Sequence, residues 1–144
     1  MSILKKGILF LCTGNSCRSQ MAEGFARKIL LKDVKIYSAG LKPKGIHPKA
    51  KNVMQEINID ISDQKSKSLW EIPIDKIGIV VTLCSDVKEN CPIFPGEAKR
   101  IHWILKDPAN AKGSEEEIMD EFRRIRDKIK NYLEKEKWFD TLKK

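Results

Sequence analysis

Lys6-Gly7-Ile8-Leu9-Phe10-Leu11-Cys12-Thr13-Gly14-Asn15-Ser16-Cys17-Arg18-Ser19 decides how this chain is read. Its first half is a short continuous apolar run, the pattern of a strand buried on both faces. Its second half is a turn of small residues that ends at Arg18. Beyond it, Met21, Ala22, Phe25, Ile29 and Leu30 recur at helical spacing. Strand, tight loop and helix follow in that order, and the loop opens on a cysteine.

The alternation continues outward from this unit. Val34 to Ala39 reads as a second strand, closed by Gly40. Leu41 to Pro48 holds two prolines and reads as loop. Ala50, Val53, Met54 and Ile57 mark a short helix. Ile77 to Leu83 is the clearest strand and runs straight into Cys84. Residues 85–97 are polar, with Pro92, Pro95 and Gly96, and read as loop. Lys99 to Leu105 is a fourth strand. Ser114 and Glu117 have the spacing of a capping box, and Ile118, Phe122, Ile125, Ile129 and Leu133 then trace one face of a long helix.

Strands that alternate with helices pair in parallel through right-handed crossovers, giving a layered α/β domain. The 144 residues suit a single domain, 1–144, with no repeat or linker. In such sheets ligands bind beyond the carboxyl ends of the strands. Cys12, Cys84 and Asp107 each follow a predicted strand, so three reactive side chains fall at one edge.

The loop from Cys12 has a clear physical use. A loop that enters a helix N-terminus aims several backbone N–H groups at one spot. Gly14 permits a tight turn and Asn15 tolerates a left-handed conformation. Thr13, Gly14, Asn15, Ser16, Cys17, Arg18 and Ser19 would thus form an anion nest. Arg18 adds a planar fork that grips two oxygens at once. The same field favours a thiolate at Cys12, with Ser19 in reach of its sulfur. Thiolate and anion site in one cradle suit nucleophilic attack on a tetrahedral oxyanion, phosphate or arsenate. Cys17, inside the loop, has no assigned role beyond its backbone. Asp107, followed by Pro108, is either a turn residue or a general acid for a departing oxygen.

Charge narrows the partners. Lys and Arg number 28 against 20 Asp and Glu, a net +8. Residues 114–144 hold nine of each sign, so the whole excess lies in residues 1–113. The lysines are scattered and no aromatic run alternates with them, which argues against nucleic acid and leaves a small anion as the ligand. No stretch has the length and apolarity of a membrane span or signal-peptide core. A cytoplasmic protein that acts as a monomer is expected. Thiols stay reduced in that compartment, so four cysteines suggest catalysis, redox work or metal binding.

Cys84 ends a strand as Cys12 does, and Cys91 lies in a polar loop seven positions later. Zinc pairs usually leave two to four residues between cysteines, and six intervene here. His47 and His102 show no partnering pattern, so no metal is expected. Two inert thiols and a redox relay remain. A second thiolate can attack a cysteine–oxyanion adduct at sulfur, and a third can move the resulting disulfide outward by exchange.

Phe10 to Ser19, followed by Met21-Ala22-Glu23-Gly24, resembles the phosphate loop of the low-molecular-weight protein tyrosine phosphatase family. That resemblance implies a central parallel four-stranded sheet flanked by helices in three layers. It also implies a general-acid aspartate before a proline, matched by Asp107-Pro108. Leu83-Cys84-Ser85-Asp86, Asn90-Cys91-Pro92, His102-Trp103 and Asp107-Pro108-Ala109 further resemble the thioredoxin-coupled arsenate reductases on this fold. The likeness runs from about Gly7 to the final helix.

Carried over by position, Cys12 attacks arsenate, Cys84 attacks Cys12, and Cys91 attacks Cys84 to leave a Cys84–Cys91 redox-active disulfide for thioredoxin to reduce. Arg18 holds the oxyanion and Asp107 assists the departing oxygen. No bound organic cofactor is implied. The alternative is a phosphatase acting on phosphomonoesters with Cys12, Arg18 and Asp107 alone. Some members of the family bind a monovalent cation through asparagine, glutamate, serine and aspartate. Asn15, Glu23 and Ser38 match, but the aspartate position is Lys67. Its ammonium either replaces the ion or is a solvated loop lysine.

Overall fold

A computed structural model describes residues 7–85 and 91–144; Lys6 of the first predicted strand and Asp86 to Asn90 of the predicted loop lie outside the described residues. The apolar run forms β1 (Gly7–Cys12), in which every residue is buried. β2 (Lys35–Gly40), β3 (Ile77–Cys84) and β4 (Lys99–Ile104) join it in one sheet. All neighbours pair in parallel, in the order β2-β1-β3-β4. The two central strands are the two unbroken apolar runs, because each has a strand on both sides and a layer on both faces. β4 lies at the edge and exposes Lys99, Arg100, His102 and Ile104. His102 pairs with Thr82 across the sheet, and its Nδ1 lies 2.5 Å from Thr82 Oγ1. It is a strand residue with its own hydrogen bond, as expected from its position.

Three α-helices follow the predicted order: α1 (Arg18–Ile29), α2 (Pro48–Gln55) and α3 (Glu115–Lys135). They share one core with one face of the sheet. Ile8, Phe10, Val81, Leu83 and Trp103 meet Met21, Phe25, Val53, Phe122, Ile125 and Ile129 there. Alternate strand residues Leu9, Leu11 and Val80 face the other way, onto Leu69, Ile72 and Phe94. That second layer is built around two single turns of 3-10 helix, Leu69–Glu71 and Ile74–Lys76. They are too short to leave a helical period in the sequence.

The capping box that opens α3 is formed: Glu117 N–H donates to Ser114 Oγ and Ser114 N–H donates to Glu117 Oε1, both at 3.1 Å. The chain then folds back on the body. Phe139 is fully buried, edge-on to Phe10 and Trp103, and Lys99 sits over the Trp138 ring. Of the two other tryptophans, Trp103 is core, whereas Trp70 is 74% exposed. The capping box between Ser68 and Glu71 sets that turn so that Leu69 takes the inward place and Trp70 the outward one. Among the described residues, no helix is long and apolar enough to cross a membrane.

Two neighbouring strands of this sheet end on cysteines. β1 ends at Cys12 and its neighbour β3 ends at Cys84, while Asp107 follows the end of β4.

Candidate active site

Residues 13–17 bridge β1 and α1 as a cradle, and its geometry follows from where its carbonyls point. Thr13 O accepts from Lys42 N–H at 3.1 Å, Gly14 O from Lys44 N–H at 3.0 Å and Ser16 O from His47 N–H at 3.1 Å. Asn15 O accepts from Ser66 Oγ at 2.9 Å and Gln20 Nε2 at 3.2 Å. Cys17 O accepts from Met21 N–H at 2.9 Å in the first turn of α1. Five successive carbonyls are therefore held on the outside of the loop. Among the described residues no peptide bond is cis, and in a trans peptide the following N–H points opposite to the carbonyl. The N–H groups of Gly14, Asn15, Ser16, Cys17 and Arg18 accordingly turn to the inside, above Cys12. Cys17 stands at the N-cap of α1 with no side-chain capping bond, and the first turn of the helix holds no acidic residue. That helix end is suited to an anion.

Asn15 carries the left-handed conformation the loop needs, with φ 45°. Gly14, expected to make the tight turn, is not in that region. The glycine that matters is Gly40, at the end of β2. A Cβ there would lie 2.6 Å from Thr13 O, 2.8 Å from Asn15 N and 2.9 Å from Cys12 O. Only glycine lets the cradle rest on the strand beside it.

Ser19 Oγ lies 2.8 Å from Cys12 Sγ, and both groups are buried. Arg18, 2% exposed, has its Nη1 anchored on Leu105 O at 3.0 Å, and its Nη2 faces Asp107 Oδ2 at 3.6 Å. Asp107 is a turn residue that also stands beside Arg18. Its Oδ1 accepts from Ala109 N–H at 3.0 Å and caps a short 3-10 turn, while Oδ2 faces the guanidinium. Above these groups is a hollow of about 400 Å³ lined by Cys12, Ser16, Arg18, Lys44, His47 and Asp107. Burial, and then the Lys49 charge, lower the pKa of His47, which keeps its ring neutral at pH 7. Its Nδ1 accepts from Lys49 N–H and caps α2.

Cys84 and Cys91 are joined by a disulfide, with their Cα atoms 5.8 Å apart. Cys84 is fully buried, whereas Cys91 is partly exposed. The Leu105 peptide connects this pair to the cradle: its N–H donates to Cys84 O at 3.3 Å and its carbonyl holds Arg18. Cys12 and Cys17 remain free thiols.

The Lys67 ammonium stands within ion-pair distance of Glu23, one of the residues that match the family's cation set. Lys67 Nζ lies 4.0 Å from Glu23 Oε1 and donates to Lys65 O at 2.6 Å. Glu23, 3% exposed, also accepts from Ser38 Oγ at 2.5 Å and pairs with Arg27 at 2.7 Å. With two cations already on this carboxylate, the cluster does not fit a further one.

The model of the family described as low molecular weight phosphotyrosine protein phosphatase matches residues 7–144. The chain belongs to this phosphatase family. Within that family, the chain is 50% identical over 125 residues to an arsenate reductase of Oceanobacillus iheyensis, covering 87% of this chain and 90% of that one. A solved arsenate reductase in its oxidized state superimposes with a TM-score of 0.75 at 33% identity, over 90% of this chain and 94% of the other. A thioredoxin-dependent arsenate reductase of Corynebacterium glutamicum superimposes with a TM-score of 0.60 at 28% identity, over 94% of this chain and 66% of the other.

The site residues expected from sequence thus gather in two joined places. Cys12, Thr13, Gly14, Ser16, Cys17, Arg18 and Asp107 line the hollow, with Asn15 and Ser19 buried behind it. Cys84 and Cys91 pair at the end of the adjacent strand. Gly40, Lys42, Lys44, His47 and Ser66 also shape the cradle. Nothing in the motif points to them, because each reaches it from a distant part of the chain.

Proposed function

We propose that this protein reduces arsenate to arsenite through Cys12, Cys84 and Cys91 in turn, with electrons from thioredoxin. The observation that carries this reading is the Cys84–Cys91 disulfide on the strand next to Cys12. Ester hydrolysis would have no use for it. The identity to an arsenate reductase over most of both chains supports the substrate, and the thioredoxin-dependent structural relative supports the reductant.

The steps balance in atoms and electrons. The Cys12 thiolate, supported by Ser19, attacks arsenic, and an oxygen leaves as water or hydroxide with the aid of Asp107. The inward N–H groups and Arg18 hold the remaining oxygens. The Cys84 thiolate then attacks Cys12 Sγ. The S–As bond breaks and its electron pair stays on arsenic, which leaves as arsenite. The Cys91 thiolate attacks Cys84 Sγ, frees the Cys12 thiolate and leaves the disulfide seen here. A dithiol partner reduces it from the side on which Cys91 is accessible. The chain needs no bound organic cofactor for these steps, and we place its work in the cytoplasm, as a monomer.

Arsenite release with thioredoxin and its reductase tests the relay. Cys84→Ser and Cys91→Ser should each abolish multiple turnover, while hydrolysis of a small phosphomonoester through Cys12, Arg18 and Asp107 survives. Continued thioredoxin-fed turnover by both variants would overturn the relay.

A further inference from the structure

Asn15 is the point at which the cradle departs from ordinary backbone, and among the described residues its carbonyl is tied by side chains alone. The carbonyls on either side of it, Gly14 O and Ser16 O, accept main-chain N–H groups. Asn15 O accepts from Ser66 Oγ and Gln20 Nε2. Substitution can therefore remove the ties to this one peptide.

The Asn15 side chain belongs to the same network, and the network fixes which atom donates at every step. Lys67 N–H lies 2.7 Å from one end of the Asn15 amide. A backbone N–H can only donate, so that end is Oδ1. The other end, Nδ2, donates to Ser19 Oγ at 2.8 Å. Ser19 Oγ accepts there, which directs its own proton to Cys12 Sγ. Gln20 Nε2 lies among Asn15 O, Asn15 Oδ1 at 2.9 Å and Lys65 O at 3.0 Å. Two of these are carbonyls of the main chain, so this end of Gln20 is nitrogen. Gln20 Oε1 then accepts from Gln64 Nε2 at 2.8 Å, which also reaches Gln20 O at 3.0 Å. Gln20 and Asn15 are fully buried, where an amide held in one orientation is costly to turn.

We infer that Gln20, Ser66 and Gln64 are positioning residues for the reaction. They hold the Asn15–Ser16 peptide with its N–H toward the oxyanion, and Gln20 and Gln64 orient the amide that directs the Ser19 proton onto Cys12. None of the three lines the hollow, so each acts through Asn15. A left-handed asparagine persists only where its surroundings fix it. Without the ties the peptide is free to turn and present a carbonyl to the oxyanion. The inference rests on the reading of the loop as an oxyanion site.

Ser66→Ala, Ser66→Thr and Gln20→Met test it in the disulfide form, where Cys12 and Cys17 are the free thiols. Titration with inorganic phosphate should show binding about tenfold weaker in Ser66→Ala, the scale of one lost hydrogen bond in a buried network, with Ser66→Thr restoring it. In Gln20→Met, iodoacetamide should modify Cys12 several-fold more slowly. A wild-type protein that binds no phosphate would overturn the oxyanion reading and this inference with it. Wild-type binding together with unchanged phosphate affinity in Ser66→Ala and Gln20→Met would overturn the positioning role alone, even if both variants melt at lower temperature. Should Gln20→Met fail to fold, the half-buried Ser66 pair decides the question.

Discussion

Cys12 and Cys17 share one short loop and both border the hollow, yet their sulfurs have different neighbours. Burial first, and then the negative charge of Asp107, push the Cys17 thiol up to about 12. Cys17 therefore keeps its proton at neutral pH and packs in the apolar core. Cys12 faces the hollow with Ser19 on its sulfur. Lys67 carries a separate prediction. Its ammonium faces Glu23 across 4.0 Å, and its main-chain N–H holds Asn15. The wild-type enzyme should thus show no stimulation by potassium. Lys67→Met keeps the main-chain bond but empties the charge site, so its arsenate kcat/KM should fall about threefold to tenfold, the scale of one partly exposed ion pair. Potassium should restore part of that loss. Strong potassium stimulation of the wild type in the same titration would refute the substitution of ammonium for ion.

At the scale of elements, α2 and α3 are joined by a carboxylate shared between two arginines. Glu56 Oε1 accepts from Arg126 Nη1 at 2.9 Å, and Glu56 Oε2 accepts from Arg123 Nη2 at 2.9 Å. Arg126 is buried and also donates to Val53 O, at 2.8 Å. The hydrogen bond from Arg123, with Arg126 assisting, holds the Glu56 carboxyl below its ordinary 4.5. A depressed carboxylate pKa stabilises the fold above the ordinary value and ceases to do so as pH falls through the lowered one. Glu56 is 37% exposed, so solvent screens the pair and the effect is small. Glu56→Gln should lower the melting temperature by about 3 °C at pH 7 and by much less at an acidic pH below the lowered pKa of the wild-type carboxyl. An equal loss at both values would mean that packing, not charge, joins the helices. How legible such elements are depends on the range of the forces that make them. The central strands show in the sequence because burial on two faces requires an unbroken apolar run, as in Ile8 to Leu11. α3 shows because its cap and its apolar stripe lie within the helix itself. The turn at Leu69 shows nothing comparable, since it is set by one capping box and by the sheet face it covers. The site divides in the same way. Cys12, Arg18 and Asp107 are legible through motif and strand ends. Gly40 and Ser66 are not, because each matters only through a backbone brought to it by the fold.

Over the whole molecule, charge is distributed by position in a way that bears on the substrate. The +8 lies entirely in residues 1–113, the part that forms the sheet and the cradle, while residues 114–144 are neutral. α3 pairs many of its charges locally, as in Arg123 with Asp120 and Arg124 with Glu121. The body's excess includes Lys44 on the wall of the hollow and Lys106 just before Asp107. A surface of one sign around a concave site raises the local concentration of a small dianion, and salt weakens that attraction over a Debye length of about 10 Å at 0.1 M. The attack on arsenic that we propose takes place at Cys12, within the cradle, after capture is complete. Chloride should therefore act on capture and not on turnover. Raising sodium chloride from about 20 to about 200 mM should increase the KM for arsenate several-fold at unchanged kcat. Lys44→Gln should raise KM at low salt and flatten its rise. Sulfate and phosphate are unsuitable for this titration, since a cradle shaped for tetrahedral oxyanions would bind them directly. A KM independent of chloride in both proteins would show that the basic body serves another purpose, and that capture depends on the five inward N–H groups and Arg18 alone.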